Sequence, residues 1–381
     1  MEQENIIIVC GEASGDMHAG NLAAALLKID PTLAISGVGG QCLRGQGVTI
    51  WQDIKELGAF GLFDVLVKLP RFFALKKLIL RKIEEKKPAA IILVDFSGFN
   101  LRLAKAINKK IPVIYYVSPQ VWASRPGRIK SIARYVHKMV VLFKFEEEFY
   151  RSRGIDVTFV GHTLADLGCR LQDKKSFLDK MNLDAREKIF ALLPGSRGQE
   201  IKYILPVMLK TASLLRKSFP DAQFIIAKSP HVDLKVYNKL MRRSKRDLKL
   251  RVIEDRTCDC LNACDLALIT SGTATLEAAM MNKPFVVIYK MNLLNYLLYR
   301  PQVKIPHICI VNIIARRKVI PEFIQFNAKP RLIAREVSAI LSDASRMERI
   351  KADLAETRSL LGEPGAGQRG ARAILDFLNN K

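Results

Sequence analysis

The sequence predicts an α/β protein of two domains, each a parallel sheet with helical crossovers. Three observations carry that prediction. Short β-branched apolar runs alternate with helix-like amphipathic stretches. The series of strands stops at a polar segment, Lys174–Lys188, and then starts again. The loops rich in Gly, Ser and charge follow strands, which is where open α/β sheets bind ligands. A chain of 381 residues also exceeds one ordinary core and suits two.

In order, Ile6–Cys10 reads as a buried strand, Asn21–Lys28 as a helix and Ile35–Val38 as a second strand. Ala89–Val94, Val113–Val117, Met139–Phe143 and Thr158–Val160 continue the first series. After the linker, Ile189–Leu193, Gln223–Ala227, Leu250–Ile253, Leu266–Thr270, Phe285–Tyr289 and Ile308–Val311 form the second. GEPGAGQRG, Gly362–Gly370, is a flexible break, and ARAILDFL after it is an amphipathic helix able to cap either domain. Two such domains facing each other would place a cleft between them.

The formal charge of +24 favours polyanionic partners: nucleic acid, anionic lipid or phosphorylated small molecules. The basic residues are spread over many helices, with clusters at Arg242–Arg251 and Ala315–Lys318, and no nucleic-acid-binding module signature accompanies them. No charged-then-apolar leader opens the chain, and its seven cysteines are scattered, so a cytoplasmic, reduced protein is expected. Cys258, Cys260 and Cys264 lack the paired spacing of a zinc site and have no His nearby, so buried helix thiols are expected there.

Two junctions carry the chemistry of holding an anion. PGSRGQE, Pro194–Glu200, ends a strand and opens a helix, adding a hydroxyl and a guanidinium to unpaired backbone amides. TSGTATLE, Thr270–Glu277, repeats the arrangement with Ser271, Gly272 and Thr273 at a positive helix end. One such loop is easily a capped helix; two in one half point to a diphosphate. Ser196, Arg197 and Gly198 then join Ser271, Gly272 and Thr273 around it, and Glu277 accepts from a ribose.

The first half offers GEASGD, Gly11–Asp16, where Ser14 or Asp16 can cap the next helix. Glu12 suits sugar hydroxyls better than phosphate. Asp95 in VDFSGFN stands at a strand end, either as a general base or as an N-cap. In VSPQVWASRPGR, Trp122 stacks on a sugar or plugs the core, while Arg125 and Arg128 are able to meet a phosphate. No Walker A loop, GxGxxG fingerprint or HExxH pattern is present.

Taken together, GEASGD, VSPQVWA, FVGHTLAD, LLPGSRGQEI, SGTATLE and VNIIARRKVIPEFIQ resemble, in order and spacing, the lipid-A-disaccharide synthase family. The resemblance covers nearly the whole chain. It implies the GT-B glycosyltransferase fold: a Rossmann-like acceptor and membrane-side domain at 1–175, a Rossmann-like UDP-sugar domain at 186–362, and a C-terminal helix at 366–381 available to the first. It implies an inverting transfer, with neither metal nor cofactor, from UDP-2,3-diacylglucosamine to 2,3-diacylglucosamine 1-phosphate. By position Asp95 matches the family's essential acid, Arg197 its loop arginine, Asn312 the asparagine of its late motif, and Glu277 the acid at the UDP ribose. Glu12 and Ser14 match the loop near the acceptor. Ser97 and Gly98 replace a Pro-Asp pair usual in the family, and Ser124 replaces a second Trp, which touches the acceptor side.

Acylated substrates imply a peripheral enzyme on the cytoplasmic face of an anionic inner membrane, with a homodimer left open. Leu57–Leu80 then gains a second reading. Phe63, Leu66, Leu69, Phe72 and Phe73, interleaved with Lys68, Arg71, Lys76 and Lys77, either lie in the interface or pack an amphipathic helix on the sheet. Pro70 argues against one continuous core helix, and Asn295–Arg300 is a second membrane candidate. The rivals are another UDP-sugar enzyme of the same fold, either a UDP-sugar epimerase or a glycosyltransferase of peptidoglycan lipid II, and a basic nucleic-acid binder.

Overall fold

A computed structural model describes residues 4–57, 62–167, 172–230, 232–242 and 248–380, with the side chains of 62–68 and 166–167 outside the description. The chain forms two compact units, Met1–Asp166 with Leu361–Lys381, and Leu167–Leu360.

The first unit holds seven strands: β1 (Asn5–Val9), β2 (Ala34–Gly39), β3 (Thr49–Asp53), β4 (Ala90–Val94), β5 (Val113–Tyr116), β6 (Lys138–Val141) and β7 (Val157–Phe159). Their order is β3-β2-β1-β4-β5-β6-β7, and neighbours pair in parallel, with Ile6 opposite Ala90 and Val9 opposite Leu93. Successive residues point to opposite faces. Ile7, Val9, Ile91, Leu93, Val113 and Tyr115 fill one core; Ile6, Ile8, Ile92, Val94, Ile114 and Tyr116 fill the other. A sheet buried on both faces explains why these strands read as unbroken apolar runs.

The second unit repeats the plan with β8 (Ile189–Leu193), β9 (Gln223–Lys228), β10 (Lys249–Glu254), β11 (Leu266–Thr270), β12 (Phe285–Tyr289) and β13 (Glu322–Ile324). The order is β10-β9-β8-β11-β12-β13, again parallel. In each sheet the order reverses once, between β1 and β4 and between β8 and β11, and the crevice beyond such a reversal is where ligands bind. GEASGD follows β1, DFSG follows β4, PGSRGQE follows β8 and SGTATLE follows β11. All four loops therefore flank the reversal of their own sheet.

Several local expectations are corrected. Ile308–Val311 is not a strand; a short helix, Ile310–Ile314, occupies it, and the edge strand lies further on at Glu322–Ile324. A four-residue apolar run cannot by itself distinguish helix from strand. The edge strand β3 was not foreseen, because TIWQD is only half-buried and lacks a clean apolar run. The first helix begins at Ala13 rather than Asn21. One continuous helix, Leu62–Lys86, runs through Pro70.

The C-terminal helix Ala366–Asn379 belongs to the first unit. It lies close on its neighbours through glycines. A Cβ on Gly367 would stand 3.3 Å from the Asn21 carbonyl oxygen, and one on Gly370 would stand 3.4 Å from the Tyr116 ring. Arg369 fastens its start, donating to the carbonyls of Val160 (2.8 Å) and Pro364 (2.8 Å).

Candidate functional site

Asp95 and Phe96, directly after β4, both have left-handed backbone, φ 47° each. Two consecutive non-glycine residues in that region are costly and persist only where surroundings enforce them. The enforcement is visible. Asn100, fully buried, donates from Nδ2 to the carbonyls of Val9 (3.3 Å), Val94 (3.2 Å) and Asp95 (3.0 Å), so it ties the ends of β1 and β4 together. The Tyr115 hydroxyl also donates to the Asp95 carbonyl, and the Asp95 amide donates to the Tyr116 carbonyl (3.2 Å). The following helix starts at Ser97 with Phe96 at its cap position, so Asp95 is not that helix's N-cap. Its side chain is half-buried at the strand end.

Gly11 is needed here. A Cβ on it would meet the Phe96 ring at 2.3 Å, so the β1 and β4 loops touch through a residue without a side chain. Glu12 sits at the cap position of helix Ala13–Ile29 without a side-chain cap bond, and Ser14 falls in its first turn. Neither Ser14 nor Asp16 caps that helix, because it starts before them. The buried Asp16 carboxylate instead accepts the amides of Gly40 (2.7 Å), Cys42 (2.8 Å) and Leu43 (3.3 Å), closing the turn after β2.

The VSPQVWA loop follows β5 with Val117 at φ 63°, an outlier for a β-branched residue. Trp122 is half-buried, edge-on to Phe145 at 4.9 Å between ring centroids, and its Nε1 donates to Glu146 Oε1 at 3.0 Å. Burial pushes the Glu146 carboxyl up to about 7, against the pull of hydrogen bonds from Trp122 and Ser118. Arg125 is exposed at φ 53°, and Arg128 Nη1 donates to Ser97 Oγ at 3.1 Å, joining this loop to the Asp95 turn. His18 and His162 stand edge to face 5.5 Å apart, with His18 Nδ1 2.7 Å from Thr163 Oγ1. Burial lowers both, to about 4 and about 3, so both imidazoles are neutral at pH 7.

In the second unit Ser196, Arg197 and Gly198 are exposed at the start of helix Gly198–Ser218. The Ser196 amide is not open, since Glu200 Oε2 accepts it at 3.2 Å, and Glu200 Oε1 lies 3.5 Å from Arg197 Nη1. Gly195, φ 112°, cannot carry a side chain beneath that carboxylate. After β11, Gly272 and Thr273 are exposed at the start of helix Thr273–Met280. The Ser271 hydroxyl donates to the Ile308 carbonyl at 2.7 Å. Glu277 lies one turn into that helix; burial raises its carboxyl above the ordinary range. Among the described residues no side chain is paired with it.

Asn312 is fully buried and fully engaged. Its Nδ2 donates to the Ile320 carbonyl (2.8 Å) and Glu322 (2.8 Å), and its Oδ1 accepts the amides of Val319 (2.8 Å) and Ile320 (2.8 Å). Glu322 also accepts the amides of Ile308 (3.2 Å) and Cys309 (3.0 Å). Gln325 exchanges two hydrogen bonds, both 3.1 Å, with the main chain of Met291. The polar letters of VNIIARRKVIPEFIQ thus pin the segment that meets Ser271. Sequence reading passed over Glu322, Gln325, Glu146, His18 and His162. Glu322, Gln325 and His162 carry a signal, a polar residue inside an apolar motif, whereas Glu146 stands among like charges and carries none.

A family model for lipid-A-disaccharide synthetase matches residues 6–376. The lipid-A-disaccharide synthase of Anaeromyxobacter dehalogenans (strain 2CP-C) is 41% identical over 376 residues, covering 98% of each chain. The chain belongs to the lipid-A-disaccharide synthetase family. Membership makes it a glycosyltransferase of lipid A biosynthesis, and decides against the epimerase, lipid II and nucleic-acid readings. The fold agrees. The Staphylococcus aureus MnaA–UDP co-structure superposes with a TM-score of 0.66 at 16% identity, covering 99% of this chain and 97% of the other. The calicheamicin glycosyltransferase CalG4 does so at 0.60 and 13%, covering 100% and 99%. The architecture is GT-B.

Phe63 and Leu66 lie outside the described side chains. Leu69 is half-buried, Phe72 packs near Phe96 and Phe99 at 5.9 and 6.1 Å between ring centroids, and Phe73 is 62% exposed. Among the described residues, the largest exposed apolar group is elsewhere: Leu293, Leu294, Leu297 and Leu298 on helix Leu293–Tyr299, with Phe326 nearby against Tyr296. No helix among the described residues is long and apolar enough to cross a membrane. Cys10, Cys42, Cys260, Cys264 and Cys309 are free thiols, whereas Cys258 is disulfide-bonded, which departs from a fully reduced set.

Proposed function

We propose that the protein transfers the diacylglucosaminyl group of UDP-2,3-diacylglucosamine to the 6-hydroxyl of 2,3-diacylglucosamine 1-phosphate. The products are the β-1,6-linked disaccharide 1-phosphate and UDP. The observation that carries this reading is the seating of all four motif loops at the two sheet reversals, each unit supplying one pair.

The second unit takes the donor. The first-turn amides at Gly198 and Thr273, with Gly272 and the hydroxyls of Ser196 and Ser271, surround the diphosphate. Arg197 exchanges its exposed contact with Glu200 for the phosphate oxygens, a small loss for an open ion pair. Glu277, whose carboxyl is unspent, accepts from the ribose. Asn312 acts from behind, holding the Ile308–Glu322 segment that positions Ser271.

The first unit takes the acceptor. Asp95 removes the proton of the 6-hydroxyl as that oxygen bonds to the anomeric carbon. The bond from that carbon to the UDP oxygen breaks, and the electron pair leaves with UDP. The charge gained by UDP falls on preorganised amides and Arg197. Glu12 and Ser14 hold sugar hydroxyls, Trp122 offers its ring to the sugar and Arg125 reaches the 1-phosphate. The enzyme works as a peripheral protein on the cytoplasmic face of an anionic inner membrane, with Leu69, Phe73 and the exposed leucines of helix Leu293–Tyr299 in the interface.

Incubation with both acylated substrates in detergent tests the reading. Disaccharide 1-phosphate and UDP in equal amounts are expected. Epimerised sugar, or transfer only to a polyprenyl diphosphate sugar, would overturn it.

A further inference from the structure

Glu146 stands out among buried groups that the reaction does not use. It is 3% exposed, on helix Lys144–Arg151, although it stands inside the run EEE. It is surrounded by polar atoms. Trp122 Nε1 donates to it at 3.0 Å, and Ser118 bonds it from the same loop. The Ser118 hydroxyl in turn lies 2.7 Å from the Tyr150 hydroxyl, and both meet the Pro119 carbonyl, at 3.0 and 3.3 Å. One helix thus grips the loop at Ser118, Pro119 and Trp122, directly beyond the strained Val117. A buried carboxyl is an expensive clamp when an apolar contact would hold a loop, unless the clamp must fix one orientation.

We propose that Glu146 is a positioning residue for the acceptor sugar, setting the Trp122 indole and the 117–124 loop in the orientation the acceptor requires. This rests on the assignment of the first unit to the acceptor. The clamp is also sensitive to pH. Glu146 titrates near 7 and faces the Trp122 indole, the Ser118 hydroxyl, the main chain at Leu142 and Phe143 and, at longer range, the Tyr150 phenol, which burial keeps protonated. Its neighbour Glu147 is already paired with Lys144 and Arg151. An ionised acceptor makes the stronger hydrogen bond to the indole, so the clamp tightens as pH rises through 7.

The test compares KM for each substrate in wild type, Glu146→Ala, Glu146→Gln and Trp122→Phe. Glu146→Ala is expected to raise the acceptor KM about tenfold while the donor KM moves less than about twofold, the loss of one hydrogen bond to a charged group. Glu146→Gln mimics the protonated acid. Its acceptor KM should match wild type at pH 6 and exceed it about threefold at pH 8, a ratio from which titration of the acceptor's own phosphate cancels. Trp122→Phe removes the indole donor together with part of the ring that meets the sugar, so it should raise the acceptor KM selectively. Should Glu146→Ala fail to fold, adding Glu146→Gln to Trp122→Phe should then change the acceptor KM no further, because the bond between the two side chains is already gone. Equal changes in both KM values, an unchanged acceptor KM or a ratio independent of pH would overturn the proposal. Wild-type protein that forms no disaccharide would overturn the acceptor assignment beneath it, a failure visible before any variant is made.

Discussion

Main-chain bonds hold the Asp95 turn. Its carbonyl accepts from Asn100 and Tyr115 and its amide donates to the Tyr116 carbonyl, so the backbone is fixed. Asn has nearly the size and shape of Asp and leaves those bonds in place. Asp95→Asn should keep the fold and the UDP affinity, and cut turnover by about 10²-fold or more through loss of the base. Steady-state rates beside calorimetric UDP binding check it; near-normal turnover would remove Asp95 from the role. Glu277 and Asn312 show the contrast between two residues with similar sequence credentials. Glu277 has no partner among the described residues and is available to a ligand, whereas Asn312 spends every hydrogen-bonding position inside the chain.

At the scale of elements, helix Leu293–Tyr299 is anomalous because it buries little. Leu294 and Leu297 are 62% and 59% exposed, while Asn292 caps its start through the Leu294 amide (2.9 Å) and also reaches the Tyr203 hydroxyl (3.3 Å) on the helix after PGSRGQE. An apolar face held rigidly beside a proposed donor loop suits insertion into a lipid interface. The double change Leu294→Ser, Leu297→Ser should lower partitioning onto anionic vesicles by roughly tenfold or more, at about 1 kcal/mol per leucine partly buried in lipid. The midpoint of unfolding should hardly move, since exposed positions carry little stability. Undiminished vesicle binding would take this helix out of the interface. The same helix shows what the sequence makes legible. Strands buried on both faces were readable because apolar continuity needs no partner to be recognised, and the loops after β1, β4, β8 and β11 because glycine, hydroxyl and charge concentrate there. Which letters face inward was not readable. Glu146 looks like Glu148 in the string, and only the fold turns it inward, where Trp122 donates to it. Phe72 looks like Phe73, yet one packs against Phe96 and the other meets solvent. Ile308–Val311 has the letters of a strand, whereas Asn312, directly after it, organises a turn through bonds to residues seven and eight positions later.

At the scale of the whole molecule, the chain leaves the first unit at Asp166, builds the second, and returns at Leu361 to finish the first. The returning segment is integral. Ala371 and Ile374 are wholly buried in the same core as Leu22 and Tyr116, and the His162 amide donates to the Leu361 carbonyl at 2.8 Å, so FVGHTLAD is closed by residues from the other end of the sequence. The first unit is thus incomplete until the second has been made. Removing residues 363–381 should uncover Leu22 and Tyr116 and cost the first unit several kcal/mol, roughly the sum of two buried apolar side chains and the contacts of Arg369. The second unit retains its sheet and both proposed UDP loops. The two tryptophans, Trp51 and Trp122, both lie in the first unit, so intrinsic fluorescence reports on that unit alone. The truncated chain should show a lowered fluorescence midpoint that saturating UDP does not restore, with UDP affinity itself unchanged. A fluorescence midpoint equal to that of the full chain would mean that the returning helix adds nothing to the first core. Lost UDP binding would mean that the two units do not hold their folds separately.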